Sequence, residues 1–231
     1  MISAHESYRE YAPHRALRSY VECYWTRQSS SPCTDRDQRV LPDGCIDIVF
    51  DFSSGTASEA AIVGTMTRPL LFQSAGRLQL VGVRFRPGGA TAFLRLSAAE
   101  ITDSRLELSS CWVQAHELAE RMHDDADVEL QVRTLETELL ARVGGVAPLD
   151  DRVRAAVSLL KRQPGSVEQA ARAAGLSRQH LIRLFRAHVG VGPKQFQRVA
   201  RLQRLLEHVA RVDAPIWSST ALEVGYYDQA H

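Results

Sequence analysis

Apolar and polar residues alternate in short segments through the first part of the chain, between Tyr20 and Phe85. From Ile46 to Phe52 every second residue is apolar, which is the two-residue period of a half-buried strand. Turn residues punctuate these segments at 29–32, 42–44, 53–55 and 74–76. The pattern predicts an antiparallel sheet or small barrel, with strands at 21–25, 45–52, 60–66 and 78–85.

The apolar period changes to three and four residues after Pro87-Gly88-Gly89, which predicts helices at 90–96, 113–122 and 128–143 and an α+β fold for this half. Residues 144–148 then combine Gly and Pro as linkers do. We therefore expect an α+β regulatory domain over 1–145 and an all-α domain over 146–231. The helices predicted in the second domain are 150–162, 167–174, 178–188, 193–210, 217–224 and one from 228.

Length and charge fit this division. A chain of 231 residues with 45% hydrophobic content is long enough for two domains with separate cores. Residues 1–150 contain 15 Lys and Arg against 21 Asp and Glu, a net of −6, whereas 151–231 contain 13 against 6, a net of +7. Such asymmetry indicates a regulatory domain joined to a domain that binds a polyanion, and arginine suits contacts to phosphate and guanine.

Several other classes of protein lack support in the sequence. The four cysteines have no paired spacing of a zinc or redox site, and no catalytic grouping or cofactor motif is evident, so we expect neither metal, cofactor nor enzymatic activity. Arg86-Pro87-Gly88-Gly89 lacks the form of a phosphate-binding loop and is interpreted as a strand-to-helix turn. No apolar run is long enough to cross a bilayer, which favours a cytoplasmic protein without a membrane partner.

The all-α domain contains the pattern of a helix-turn-helix. Ser166 and Gln169 form a capping box at the start of one helix, Gly175 supplies a tight turn, and Ser177 is placed to cap the next helix. An alanine four residues before a glycine occurs both at Ala171/Gly175 and, 50 residues later, at 221/225. Two such copies indicate a protein that binds DNA.

The helix that begins after Ser177 is the predicted recognition helix, because one of its faces is long, polar and cationic. Gln179 can bond adenine, Arg183 can bond guanine, and Ile182 can contact a thymine methyl group. The residues predicted to contact phosphates are Arg178, Arg186, Lys194 and Arg198. The helix opened by Pro193 would span about 27 Å, which suits a rigid spacer between two recognition helices about one DNA turn apart.

These residues resemble the C-terminal domain of AraC/XylS transcription regulators. The resemblance rests on the segment 170–186, on Gly190-Val191-Gly192-Pro193, on the 201–206 segment and on 221–231. It implies two helix-turn-helix units joined by one long helix, and it adds Gln229 as a base-reading residue of the second unit. The family pattern continues beyond His231, so we expect the chain to be a fragment whose second recognition helix is barely started and frays.

The N-terminal half resembles the sensor region that precedes this domain in part of the family, through residues 21–25, 41–47 and 83–90. The resemblance implies binding of a small effector, dimerisation, or both. Trp25, Phe50 and Arg84 are the predicted effector-binding residues, since an inward arginine needs a partner and an anionic effector would be one.

The sequence thus predicts a DNA-binding transcription regulator. Its partners would be double-stranded DNA and, as further candidates, RNA polymerase, a small-molecule effector and a second copy of the chain. Two alternatives stay open: a DNA-repair alkyl-acceptor protein with an AraC-like domain, which would need a reactive cysteine, and a module that docks protein partners through its arginine-rich face.

Overall fold

The computed structural model describes residues 6–33, 37–55, 59–73, 76–125, 127–162 and 166–211. The strands are β1 (Glu6–Tyr11), β2 (Val21–Cys33), β3 (Asp37–Val40), β4 (Ile46–Asp51), β5 (Glu59–Val63), β6 (Leu70–Gln73), β7 (Gly76–Phe85) and β8 (Arg105–Glu107). The helices are α1 (Ala90–Leu94), α2 (Ala115–Asp124), α3 (Val128–Val143), α4 (Asp151–Arg162), α5 (Val167–Ala173), α6 (Arg178–Val189) and α7 (Pro193–Arg211).

An antiparallel sheet forms the N-terminal part of the described chain, with the strand order β1-β2-β7-β4-β5-β8. β3 and β6 pair with each other in a separate two-stranded sheet. One face of the large sheet is apolar because successive residues of a strand point to opposite sides. Ile48, Phe50, Val81 and Val83 lie on that face, and none of them is exposed to solvent.

Helices α1, α2 and α3 contribute apolar residues to the same cluster, among them Phe93, Leu118 and Leu135. A second cluster, in the helical part, contains Leu160 of α4 and Phe185 of α6. The described residues therefore contain two separate hydrophobic cores. The predicted architecture, an N-terminal α+β domain and a C-terminal helical domain, is confirmed.

The predicted helices from 128 to 210 agree with α3 to α7 to within a residue or so at each end. The structure differs in the sheet. Residues 29–32, predicted as a turn, continue β2 as far as Cys33, and β1, β3, β6 and β8 were not predicted. Helices predicted at 217–224 and from 228, with the second helix-turn-helix unit, lie outside the described residues. No helix within the described ranges is long and apolar enough to cross a membrane.

Three short hydrogen bonds are among the contacts that join the two domains in the described part of the chain. The Thr65 hydroxyl donates to the Val189 carbonyl at the end of α6, and the Thr102 hydroxyl donates to the next carbonyl, that of Gly190. On α7, the Gln203 side-chain amide donates to the carbonyl of Pro42, in the turn before β4. These bonds place the sheet domain against the C-terminal end of α6 and along one side of α7.

Candidate nucleic-acid interface

The α5–turn–α6 unit is built as its sequence predicts. The Ser166 hydroxyl accepts a hydrogen bond from the backbone N–H of Gln169, whose side chain accepts one from the Ser166 N–H in return. Gly175 has φ of +65°, the left-handed backbone for which glycine is suited. The Ser177 hydroxyl accepts from the N–H of His180 at 3.2 Å and so caps the start of α6. These local bonds fix the angle at which α6 leaves the turn.

One face of α6 is anchored in the helical core. Leu181 and Phe185 are fully buried, and the Phe185 ring packs edge-on against Phe196 of α7 with ring centroids 5.5 Å apart. Ala170 and Ala171 of α5 are buried in the same core, where their small side chains permit a close approach of the helices. The opposite face of α6 is thereby held toward solvent.

Two adjacent rows of side chains occupy the solvent face of α6. Gln179 and Arg183, four residues apart, are both exposed. Beside them Arg178, Ile182 and Arg186 form a second row, in which the two arginines are exposed and Ile182 is half-buried. The structure thus brings the predicted α6 residues onto one accessible surface, and it leaves their roles in DNA binding as predictions.

A groove of about 490 Å³ runs beside the second row, between α6, the start of α5 and the start of α7. Arg178 and Arg186 line it from α6, and Lys194 lines it from the first turn of α7. Arg198, one turn further along α7, is exposed but does not line the groove. Three of the four predicted phosphate-contacting residues therefore share one open, cationic groove.

Glu168 is the carboxylate among the residues that line this groove, and Arg178 lies 3.3 Å from it. Hydrogen bonds from its own backbone N–H and from Ser166 lower the pKa of Glu168, and the nearby charge of Arg178 adds to the effect. The carboxylate is therefore ionised at neutral pH. Arg178 still has 65% of its side chain exposed, so its guanidinium can reach a ligand in the groove.

The predicted effector residues are not all on one surface. Trp25 and Arg84 lie on the face of the large sheet opposite to the core, whereas Phe50 lies on the core face, in register with Val81. Phe50 and Arg84 therefore cannot line one cavity, which corrects the predicted grouping. The reason is strand parity, because pairing places Phe50 and Arg84 on opposite sides of the same sheet.

Arg84 has protein partners of its own. Its guanidinium lies 3.1 Å from a carboxylate oxygen of Asp43 and 3.2 Å from one of Asp47, which also accepts a hydrogen bond from the Trp25 indole. Burial raises the pKa of Asp47 to about 6, although the charge of Arg84 opposes the shift. Asp43 and Asp47 therefore supply the negative charge that the prediction assigned to an anionic effector, and effector binding here stays an untested prediction.

The thiols of Cys23 and Cys45 are poorly suited to nucleophilic chemistry. Burial raises the pKa of Cys23 to about 12 and that of Cys45 well above its ordinary value, whereas the thiolate is the reactive form. Cys23 and Cys45 are also not on neighbouring strands, since β7 lies between β2, which contains Cys23, and β4, which follows Cys45. No cluster of metal-ligating side chains occurs among the residues that the structure describes. Gln229, the predicted base-reading residue of a second unit, lies outside them.

Comparison with known proteins agrees with this geometry. Residues 152–231 match a family described as a helix-turn-helix domain, and residues 9–107 match a domain of unknown function. A Haemophilus influenzae protein, named as an uncharacterized HTH-type transcriptional regulator, is 34% identical over 85 residues, which are 36% of this chain and 28% of that relative. No solved structure matches the chain. The chain therefore carries a C-terminal helix-turn-helix domain of the AraC type, preceded by a domain that matches a group of unknown function.

Proposed function

We propose that the protein is a sequence-specific DNA-binding transcription regulator. The observation that carries the proposal is the solvent face of α6, on which Gln179 and Arg183 stand beside the cationic groove of Arg178, Arg186 and Lys194. A row that can bond base edges next to a row that can bond phosphates is the arrangement that a recognition helix needs in the major groove. The name of the Haemophilus influenzae relative supports the same function.

The two rows have different roles in this proposal. Gln179 and Arg183 contact bases, with Ile182 packing against a thymine methyl group, because amide and guanidinium groups match adenine and guanine through paired hydrogen bonds. Arg178, Arg186, Lys194 and Arg198 contact phosphates, which sets the position of the helix on the duplex without reading the sequence.

Selection of binding sites from random DNA, followed by affinity measurements at several salt concentrations, tests this division. Arg183→Ala should cost about 1–3 kcal/mol on the selected site and relax the preference at one base pair. Lys194→Ala should weaken binding to all sequences alike and lower the salt slope by about one. Arg133→Ala, which removes an equal charge from an exposed position of α3, serves as the control and should change neither quantity.

Two outcomes would contradict the proposal. If Arg183→Ala and Lys194→Ala lose equal affinity on selected and random DNA, α6 does not read bases. If the affinity of the wild-type protein for DNA hardly changes with salt, phosphate contacts are absent and the arginine-rich face docks a protein instead.

We further propose that the N-terminal domain controls this activity, through a small effector or through dimerisation, with RNA polymerase as the downstream partner. Its direct hydrogen bonds to α6 and α7 support the proposal, since a change in that domain has a physical route to the DNA-reading surface. A thermal-shift screen of metabolites, repeated with Arg84→Ala, tests the effector. A ligand that stabilises wild type and the variant equally would place its site away from Trp25 and Arg84.

A further inference from the structure

The C-terminal end of α6 is capped by the other domain. The last carbonyl groups of a helix have no partner within the helix and must find one elsewhere. The Thr65 hydroxyl donates to the Val189 carbonyl at 2.6 Å, and the Thr102 hydroxyl donates to the Gly190 carbonyl at 2.8 Å. Thr65 is fully buried, so water is not available to replace its bond.

The two threonines are held in place within their own domain. Thr65 follows β5, and its carbonyl accepts a hydrogen bond from the N–H of Asp103, the residue after Thr102. Asp103 has φ of +55°, an unusual backbone for aspartate, and its carboxylate accepts bonds from the backbone and the hydroxyl of Thr67. The segments that carry Thr65 and Thr102 are therefore bonded to each other and form one binding surface for the end of α6, which we call the threonine socket.

Gly190, directly after α6, contacts the threonine socket closely. Its φ of +91° ends the helix, and a methyl group at this position would lie 3.0 Å from the Thr102 hydroxyl and 3.1 Å from the Ala98 carbonyl. Nearby, the Thr91 hydroxyl of α1 lies 3.2 Å from a ring nitrogen of His188. The end of α6 thus contacts the N-terminal domain closely enough for its direction to depend on that contact.

We propose that Thr65 and Thr102 are positioning residues for DNA reading. They hold the last turn of α6, while Arg178 and Gln179 at the other end of this 12-residue helix point into solvent. The inference rests on the proposed function of α6 as a recognition helix. It assigns to the N-terminal domain a direct part in DNA recognition, in that it fixes the direction in which the base-reading row points.

Hydrogen exchange in the whole chain tests the capping itself, without DNA. In Thr65→Val and Thr102→Val the backbone N–H groups of Val189 and Gly190 should exchange about tenfold faster. They keep their own partners, as Gly190 donates to the Arg186 carbonyl, but the last turn of α6 opens more readily once its carbonyl groups lose the threonine bonds. Thr65→Ser and Thr102→Ser keep the hydroxyl and should stay near wild type. Thr137→Val is the control, because that hydroxyl bonds only within α3. Unchanged exchange in both valine variants would overturn the inference.

Affinity for the selected site and for random DNA then tests positioning. The valine variants should lower the ratio of the two affinities by about tenfold at one salt concentration and leave the salt slope unchanged, because the phosphate-binding side chains remain. A changed exchange rate with an unchanged ratio would overturn the positioning role. If Thr65→Val does not fold, Thr102→Val, at a half-buried position, decides both measurements. A wild-type protein that binds both DNAs equally would instead refute the proposed function, and the exchange result would still stand.

Discussion

Asp150 shows how one residue shapes the start of the helical domain. It lies directly before α4, and its carboxylate accepts hydrogen bonds from the backbone N–H of Arg152 at 2.8 Å and from the Arg152 guanidinium at 2.6 Å. These bonds lower the pKa of Asp150 to about 2. The folded protein therefore holds a proton at this site less readily than the unfolded chain, in which an aspartate has a pKa of about 3.9.

This shift predicts a defined pH dependence. A lowered pKa in the folded state stabilises the protein above the unfolded pKa, and the stabilisation is lost as the pH falls from about 4 to about 2. The free energy of unfolding, measured in urea across that range, should therefore exceed that of Asp150→Asn above pH 4 and approach it near pH 2. Arg152→Ala should weaken the same dependence without abolishing it, because the backbone N–H at position 152 still donates to Asp150. A difference between wild type and Asp150→Asn that stays constant from pH 5 to pH 2 would contradict the assignment.

For Arg84, the sequence predicts the position in the strand but not the interaction partners. Alternation along β7 correctly identifies it as a polar residue among apolar neighbours, Val83 and Phe85. Its partners could not be predicted in the same way, because Asp43 belongs to a turn and Asp47 to β4, about 40 residues earlier. The pairing of strands that are far apart in the sequence brings Arg84 to these aspartates, and the local pattern of apolar and polar residues does not predict that pairing.

Helix caps are the element-scale feature that positions the recognition surface. Ser166 caps α5 and Ser177 caps α6 through equivalent bonds. Each serine hydroxyl accepts a hydrogen bond from the backbone N–H of the residue three positions later, at 3.2 Å. Both serines are exposed, so replacing either with alanine removes the bond and leaves no cavity. Comparing the two alanine variants therefore distinguishes the stability of the helix-turn-helix unit from the order of the first turn of α6, which carries Arg178 and Gln179.

Ser166→Ala and Ser177→Ala should each reduce the free energy of unfolding by about 1 kcal/mol, the usual value for a lost N-cap. Only Ser177→Ala should also lower affinity for the selected DNA beyond the loss of folded protein, because the first turn of α6 frays. Chemical denaturation and DNA titration at low temperature measure the two effects. Equal losses of DNA affinity in the two variants would show that the first turn of α6 is not in the interface.

The sequence predicts helices better than strands here, for physical reasons. Helices α5 and α6 begin after a serine cap and α7 begins at Pro193. α6 ends at Gly190, and α5 ends at Ala173, two residues before Gly175, so local chemistry fixes those boundaries. Strands β1 and β8 lie at the edges of the large sheet, and β8 is only three residues long. Edge strands need only one paired neighbour and can have polar residues on both faces, so they lack the alternation by which strands are predicted.

On the scale of the whole molecule, the predicted DNA-reading surface and the sheet domain are not independent. Among the described residues, the sheet domain contacts the last residues of α6 and, on α7, Phe196 and Gln203, while Arg178, Arg183 and Arg186 of α6 are exposed. The described part of the acidic half therefore leaves the arginines of the basic groove accessible. Composition and charge predict two domains, but the contact between them depends on side chains far apart in the sequence, which no local pattern connects.

Gly44 offers a direct measurement of this contact. It has φ of +81° in the turn before β4, and a methyl group there would lie 2.7 Å from the ring of Phe196, which is fully buried. Gly55 has a similar φ of +71° in the turn after β4, but no described atom would lie within 4 Å of a methyl group there. Substitution by alanine at either position incurs the left-handed backbone cost of about 1–2 kcal/mol, and only Gly44→Ala also compresses the domain interface.

We therefore expect Gly44→Ala to lower the free energy of unfolding by about 1–3 kcal/mol more than Gly55→Ala, the usual range for overpacking a buried site. Urea unfolding of the whole chain measures both. Combining Gly44→Ala with Phe196→Leu tests the cause, because a smaller side chain makes room for the methyl group and the double variant should lose less than the sum of the single ones. Equal costs at Gly44 and Gly55, with additive losses in the double variant, would mean that the turn before β4 and α7 do not pack together in solution.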